Sequence, residues 1–516
     1  SDNQTYWHLL RDFRKEVSVG GATTLKTDVA WVGPGYSFQL NGVKTAYDII
    51  TTAEQFRPNI ISLDGWAGSQ RFNSVWSGDQ TGGNWEYIRF HIPTYIGSSL
   101  SGNPNIGSDM DGIFGGKALI AARDYQWKSF TPQMLNMDGW GTYMKAPYTF
   151  GDPYTGINRM YMKIKSQLMP YIYTTAVSAS NMDTGNDDTG LPIVRAMFLE
   201  YPEDAYAYSR NMQYQFLLGA NILVAPVYKN TAADEEGNDV RNHIYLPDPD
   251  EVWIDYLTGE KYLGGQVLNN FAAPLWKLPV FVKNGTILPM YEANNTPDAI
   301  DRTKRMIEFW PDGDSFYTTY EDDGKYIHNQ TEEDEKYGTI DHVSYGSHVS
   351  TTYTSSVKEG KAILTAECSE GTYEGYEEKR SSTFIVHLSN RPEAVTAWNG
   401  EEKLHLTEAE NLEIFEQSEP KKGEGIFFYD EHPMIRTYAS EEEKILRAMV
   451  EKVQAEPKLY VKLATVDSQK EKQIVEILGF ENTVCRMAEK ENGALSVPQL
   501  TAAEEAKTST SIGLCW

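Results

Sequence analysis

Along the first 228 residues the apolar positions change period repeatedly. Short apolar or β-branched runs at 22–28, at Ile60-Ile61-Ser62-Leu63, at Val75-Trp76 and at Ile106-Gly107 read as strands. Around them, helical spacing predicts helices over 5–17, 43–56, 84–99, 117–128 and 155–178. The last carries Ile157, Met160, Tyr161, Ile164 and Leu168 on one face. Pro192-Ile193-Val194-Arg195 and Ile222-Leu223-Val224-Ala225-Pro226 are expected to continue the series as two more strands. Alternation of this kind predicts a parallel sheet or a β/α barrel.

Beyond residue 228 the helical period disappears. Val252-Trp253-Ile254-Asp255-Tyr256, Ile287-Leu288-Pro289-Met290 and Met306-Ile307-Glu308-Phe309-Trp310 are short strands between Gly, Pro and Asn turns, the texture of a β-sandwich. Ser440-Glu441-Glu442-Glu443 reads as a capping box opening a short helix, with Ile445, Leu446, Met449 and Val453 on one face. The expected fold class is therefore α/β: the C-terminal part of a (β/α)8 barrel over 1–228, followed by all-β sandwich domains. A proximal sandwich is expected over 229–310, a distal one over 311–437, and a small α+β unit over 438–495. Residues 496–516 resemble the first strands of a fibronectin type III module.

Two of the strands end in a carboxylate. Thr23-Thr24-Leu25-Lys26-Thr27 runs into Asp28, and Val75-Trp76-Ser77-Gly78 runs into Asp79. In a β/α barrel the C-terminal mouths of the strands are where chemistry sits. The spacing of the pair suits neighbouring units of one barrel. Taken alone, either acid could equally be a helix cap or a satisfied loop acid.

Bulk properties narrow the partner. With 12 Trp and 32 Tyr the chain is rich in flat rings, which suit sugar faces and sandwich cores alike. A net charge of −27 argues against nucleic acid or an anionic membrane. No apolar stretch is long enough to span a bilayer. The three cysteines, Cys368, Cys485 and Cys515, are scattered, and the histidines lack metal spacing, so no disulfide framework, metal or other cofactor is expected. The chain begins at Ser1 and enters an amphipathic segment at once. Too few strands precede Asp28 for a full barrel, so a piece of a longer protein is expected. Expressed alone, such a piece should be inactive or aggregate through its open strand edge.

From residue 66 onward the string resembles glycoside hydrolase family 31. The motifs are Trp76-Ser77-Gly78-Asp79 followed by Trp85, then Gly107-Ser108-Asp109, then Arg123, Gln126, Phe130 and Pro132. Tyr201-Pro202 with Asp204, Gln215 to Gly219, Leu223 to Val227, Trp253 to Gly259 and Tyr320 to Gly324 follow in the family's order. The resemblance covers residues 5–435. It implies a retaining exo-acting α-glycosidase that uses two aspartates, with Asp28 at the nucleophile position and Asp79 at the acid/base position. The chain would begin just before barrel strand four. A carbohydrate substrate and a secreted or cell-surface bacterial setting follow from the same resemblance.

Residue chemistry agrees with that pairing. Retention needs two carboxyls about 5–5.5 Å apart across the anomeric carbon. Lys26, two residues before Asp28, should share its face and keep it ionised, while Trp76 and Gly78 should give Asp79 apolar surroundings that favour its acid form. Candidate binding residues around the pair are Lys26, Trp31, Asp64, Trp66, Arg71, Trp76, Asp109, Asn136, Met137 and Asp138. Arg123, Gln126 and the Tyr320–Gly324 turn read as structural.

Three positions depart from the family's α-glucosidases. Leu63 replaces an arginine, Met137 replaces a histidine that binds sugar hydroxyls, and Trp31 stands where many members carry an acid. Loss of two hydroxyl-reading groups should discriminate against glucose, and an apolar hollow would suit an acetamido methyl. The expectation is an α-N-acetylgalactosaminidase, with an α-galactosidase or α-glucosidase as the alternative. A non-catalytic glycan-binding protein on the same scaffold is the reading from another class.

Overall fold

The computed structural model describes residues 15–28, 36–54, 56–63, 65–139, 144–230, 238–326 and 346–482. Trp31, Asp64, Cys485, Cys515, most of the expected helix 5–17 and the whole of 496–516 lie outside these residues.

Four short strands form one parallel sheet in chain order: β1 (Thr24–Lys26), β2 (Asn59–Ser62), β3 (Ser74–Trp76) and β4 (Ile106–Gly107). A parallel bridge between Asp109 and Leu135 continues the order by one further position. Three of the connections carry an α-helix, as parallel crossovers usually do: α1 (Tyr36–Glu54) after β1, α2 (Trp85–Leu100) after β3 and α3 (Ala118–Lys128) after β4. Among the described residues the β2–β3 connection holds only a 3-10 turn at Ser69–Arg71. In α2 the Asn84 side chain caps the first turn by accepting from the Tyr87 N–H at 3.1 Å, and Ile88, Ile92 and Tyr95 turn inward at helical spacing. The expected helix 155–178 is two, α4 (Tyr154–Gln167) and α5 (Met169–Ala179), broken at Leu168. Pro170 explains the break: it lacks an N–H and sits in the first turn of α5, where none is needed. This is the C-terminal part of a TIM-type barrel.

The barrel ends earlier than residue 228. Val194–Arg195, Phe216–Leu218 and Ile222–Val224 pair antiparallel, in a six-stranded sheet that also holds Val280–Lys283, Val252–Asp255 and Lys261–Leu263. The cause is local. Only Gly219, Ala220 and Asn221 separate two of those strands, room for a hairpin but not for a crossover helix. Gly219 takes φ 59°, and a Cβ there would meet the Tyr171 hydroxyl at 2.3 Å.

Two further boundaries move. Ile287–Met290 and Lys304–Phe309 are not the end of the proximal sandwich; they open the distal one, pairing with each other and then with Lys379–His387. The expected separate unit over 438–495 is also incorrect. Lys458–Asp467 inserts between Lys379–His387 and Glu424–Asp430, and Gln473–Leu478 inserts between Lys361–Cys368 and Ala394–Asn399. These last two strands lie in different sheets, and each is an inner member of a six-stranded one. Their inward residues (Leu459, Val461, Leu463, Val475 and Ile477) are fully buried.

The short helix that follows the capping box spans Lys444–Val450 and packs on α4. It buries Leu446 and Val450, while Ile445 and Met449 are exposed, so the expected apolar face is rotated. Asp152 fixes that rotation by accepting from the Ile445 and Leu446 N–H groups at 2.6 and 3.1 Å.

Candidate active site

The parallel register brings the candidate residues to one rim. Lys26 pairs with Ile61 and Ile61 with Ser74, so β1 ends level with the first residue of β3, while β3 runs two residues further to Trp76, which pairs with Gly107. Thr27 extends the first pairing through its N–H to the Ile61 carbonyl at 3.0 Å, and the chain then turns at Asp28 with φ 49°. Asp28 is thus two residues beyond the end of β1 rather than the last residue within it.

At that rim Lys26 is the hub. Its Nζ lies 2.7 Å from an Asp28 carboxylate oxygen, 3.9 Å from the Met137 sulfur and 3.9 Å above the Trp76 ring. Trp76 is fully buried, and its indole N–H donates to Asp109 at 2.9 Å. Burial raises the Asp109 pKa; the indole hydrogen bond and the ammonium groups of Lys128, Lys145 and Lys26 oppose that rise. The second Asp109 oxygen, Oδ1, has no hydrogen-bond partner among the described residues.

Asp79 sits on the loop after β3 and is exposed. The expected apolar enclosure by Trp76 is not found, because the indole turns inward to Asp109. What shapes the Asp79 loop is glycine. Gly78 has φ 91°, and a Cβ there would meet Leu63 Cδ2 at 2.9 Å. A Cβ on Gly82 would come within 1.6 Å of the Asp111 carbonyl oxygen. Asp111 in turn accepts from the N–H groups of Gly83, Gly116 and Lys117 at 2.5, 2.7 and 2.9 Å. One carboxylate therefore locks the loops after β3 and β4 together.

The remaining candidates divide. Asp138 and Asn136 are exposed beside Met137, and buried Lys145 orders this segment: its Nζ lies 3.0 Å from Asp138 and donates to the Met137 carbonyl. Arg71 hydrogen-bonds the Gly68 carbonyl at 3.2 Å and lies over Phe72. Trp66 is 44% exposed and donates to the Gln39 side chain. The Arg71 contacts are local to the β2–β3 connection, while Trp66 ties that connection to α1.

Two buried groups under the rim escaped sequence reasoning. His91 accepts from the Ser77 hydroxyl at 2.9 Å while its other nitrogen donates to the Tyr87 carbonyl at 2.8 Å, and burial pushes its pKa down to about 3. Lys128 is wholly buried against Asp124 at 2.6 Å and also donates to the Asp109 carbonyl at 2.9 Å. Burial pushes the Lys128 ammonium down and the Asp124 carboxyl up, and the pairing opposes both. The four-residue spacing on a helix was the available signal; the burial was not visible. Arg123 is buried and reaches Ala273, Lys277 and Asp239 of the next domain, a structural clamp. In the Tyr320–Gly324 turn, Asp322 holds Arg57 at 2.8 Å, which ties the distal sandwich to the barrel.

The fold and this rim define a β/α-barrel protein with carboxylates and an ammonium at the strand mouths. Family models for the glycosyl hydrolases family 31 TIM-barrel domain and C-terminal domain match residues 34–175 and 190–288. Over those residues the chain is thus similar to the barrel and C-terminal domains of glycosyl hydrolase family 31.

It is 30% identical over 271 residues to an α-glucosidase 2 of Bacillus thermoamyloliquefaciens, covering 52% of this chain and 32% of that protein. It is 30% identical over 309 residues to an α-xylosidase of Saccharolobus solfataricus, covering 57% and 39%. The chain therefore spans well under half the length of these relatives. Among solved structures, a Flavobacterium johnsoniae GH31 dextranase complexed with glucose matches 92% of this chain and 55% of its own, at TM-score 0.66 and 24% identity. The GH31 α-xylosidase of Xanthomonas citri matches 68% and 36%, at TM-score 0.56 and 26% identity.

Proposed function

We propose that the protein containing this chain is a retaining α-glycosidase acting on terminal α-linked glucose or a closely related sugar. One observation carries the reading: the parallel register that ends at a common rim, with Asp28, ion-paired to Lys26, on one strand mouth and Asp79 on the loop after another. In the first step Asp28 attacks the anomeric carbon as an anion. A glycosyl ester forms, the glycosidic C–O bond breaks, and Asp79 gives its proton to the leaving oxygen. Asp79 then takes a proton from water, whose oxygen displaces Asp28 and releases the sugar with retained configuration. Asp109, with an oxygen lacking a hydrogen-bond partner among the described residues, offers an acceptor at the floor. The glucosidase and xylosidase names of the relatives support glucose or xylose as the sugar.

A second reading, α-N-acetylgalactosaminidase, rests on two apolar side chains. The Met137 sulfur faces Lys26 and Leu63 packs over Gly78, where the family's glucosidases are expected to carry hydroxyl-reading groups. The relatives reported above do not bear that name.

The test is hydrolysis by the intact protein of p-nitrophenyl α-glycosides of glucose, xylose, galactose and N-acetylgalactosamine. Glucose or xylose preference supports the first reading, and cleavage of the N-acetylgalactosamine compound alone supports the second. Asp28→Asn should abolish turnover. Asp79→Asn should impair unactivated disaccharides more than aryl glycosides, whose leaving group needs little protonation. Unchanged rates with Asp79→Asn on both would sink the mechanism.

A further inference from the structure

A cavity of about 590 Å³ opens between α4 and α5 on one side and the distal sandwich on the other, and its lining holds neither Asp28 nor Asp79. Its size suits a small-molecule ligand, since such sites run about 300–1,000 Å³. What sets it apart is charge, because the chain as a whole carries −27.

Among the described residues, four lining cations have no carboxylate partner. Lys163 donates to the Asn294 carbonyl at 2.7 Å and to the Asn295 side chain at 2.5 Å. Lys165 donates to the Thr131 and Pro132 carbonyls. Arg305 is buried and bonds only to the side chains of Ser382, Cys368 and Gln473. Among the described residues Arg302 has no hydrogen-bond or ion-pair partner at all, and it is exposed.

The acids of the cavity do not supply the missing charge. Glu321 is paired with Arg380 at 2.8 Å, and Asp322 accepts from Arg57 at 2.8 Å and Tyr173 at 2.6 Å. The other lining cations are paired as well, Lys304 with Glu419 at 3.0 Å and Arg159 with Glu443. Lys165 is only half-buried by its surface, yet the protein packed around its ammonium pushes its pKa down to about 7. An uncompensated cation in such a place is costly without an anion.

We propose that this cavity is a second binding site, separate from the catalytic rim, for a sugar-sized organic oxyanion bearing a carboxylate or phosphate. Arg302 supplies the fork that grips the oxyanion, Lys163 and Lys165 supply further positive charge, and exposed Tyr148 offers a ring for the ligand body.

Isothermal titration of the intact protein with glucuronate, glucose 6-phosphate, inorganic phosphate and glucose tests this. At least one oxyanion should bind, more weakly at raised salt, and the preference between the first two identifies the group recognised. Arg302→Gln should weaken that binding on the order of tenfold, as loss of a charge-assisted bond does, with glycosidase turnover unchanged. Arg302 is exposed and unpaired, so this variant should fold normally; Lys163→Gln provides a second one. The proposal fails if no oxyanion binds or if both variants bind it as tightly as the parent. It also fails if glucose competes equally for the same site. Loss of turnover in the parent would count against the catalytic reading alone.

Discussion

The ammonium of Lys26 lies 3.9 Å above the Trp76 ring while holding Asp28 at 2.7 Å. This one side chain links the residue proposed as nucleophile to the buried floor of the site. Lys26→Met removes the positive charge that favours the Asp28 carboxylate. Turnover should fall by about tenfold or more. Unchanged turnover in Lys26→Met would separate Lys26 from the action of Asp28.

The buried histidines make a pH prediction. His91 is lowered from 6.5 to about 3 and His387 to about 4, both chiefly by burial. Their neutral forms are built into the fold, so the unfolded chain binds protons that the folded one does not. Stability should be fully present above about pH 6.5 and lost as pH falls toward 4, by about 1.4 kcal/mol per pH unit for each histidine. Thermal melting at pH 7, 6 and 5 measures this, and His91→Gln should flatten part of the slope.

Gly82 and Gly97 should respond oppositely to alanine. At Gly82 the new Cβ would collide with the Asp111 backbone, so the Asp79 loop cannot close. Gly82→Ala should cut turnover sharply. Gly97 is inside α2 with open space around it, and Gly97→Ala should stabilise by about 0.5–1 kcal/mol. Melting and turnover of both variants decide the point.

Lys128→Met would leave Asp124 charged and buried beneath the rim. The expected loss is about 3–5 kcal/mol, read as a fall in denaturant midpoint. A near-neutral result would mean that Asp124 is protonated once its partner is gone.

Ending the chain before Lys458 would remove an inner strand from both sheets of the distal sandwich. Such a protein should be insoluble or rapidly proteolysed. A soluble, protease-resistant product would mean that the last two strands form a separable unit after all.

The sequence by itself determined what neighbours along the chain determine. The order of strands and helices through α5, the acids beyond β1 and β3, and the pairing of Lys26 with Asp28 all depend on period and short spacing. Helix ends followed from local chemistry too, once Pro170 was given its due. Only the tertiary structure decided the rest. An apolar run such as Phe216–Leu218 looks alike in parallel and antiparallel sheets, so its partner had to be seen. Met137 reaches Lys26 across 111 positions, through a register that no local pattern encodes. Exposure of Asp79 and burial of Lys128 depend on what other segments cover, and the last two strands complete two different sheets whose other strands lie far back along the chain. Contacts between distant segments are set by packing and strand pairing, and a local sequence pattern does not specify either.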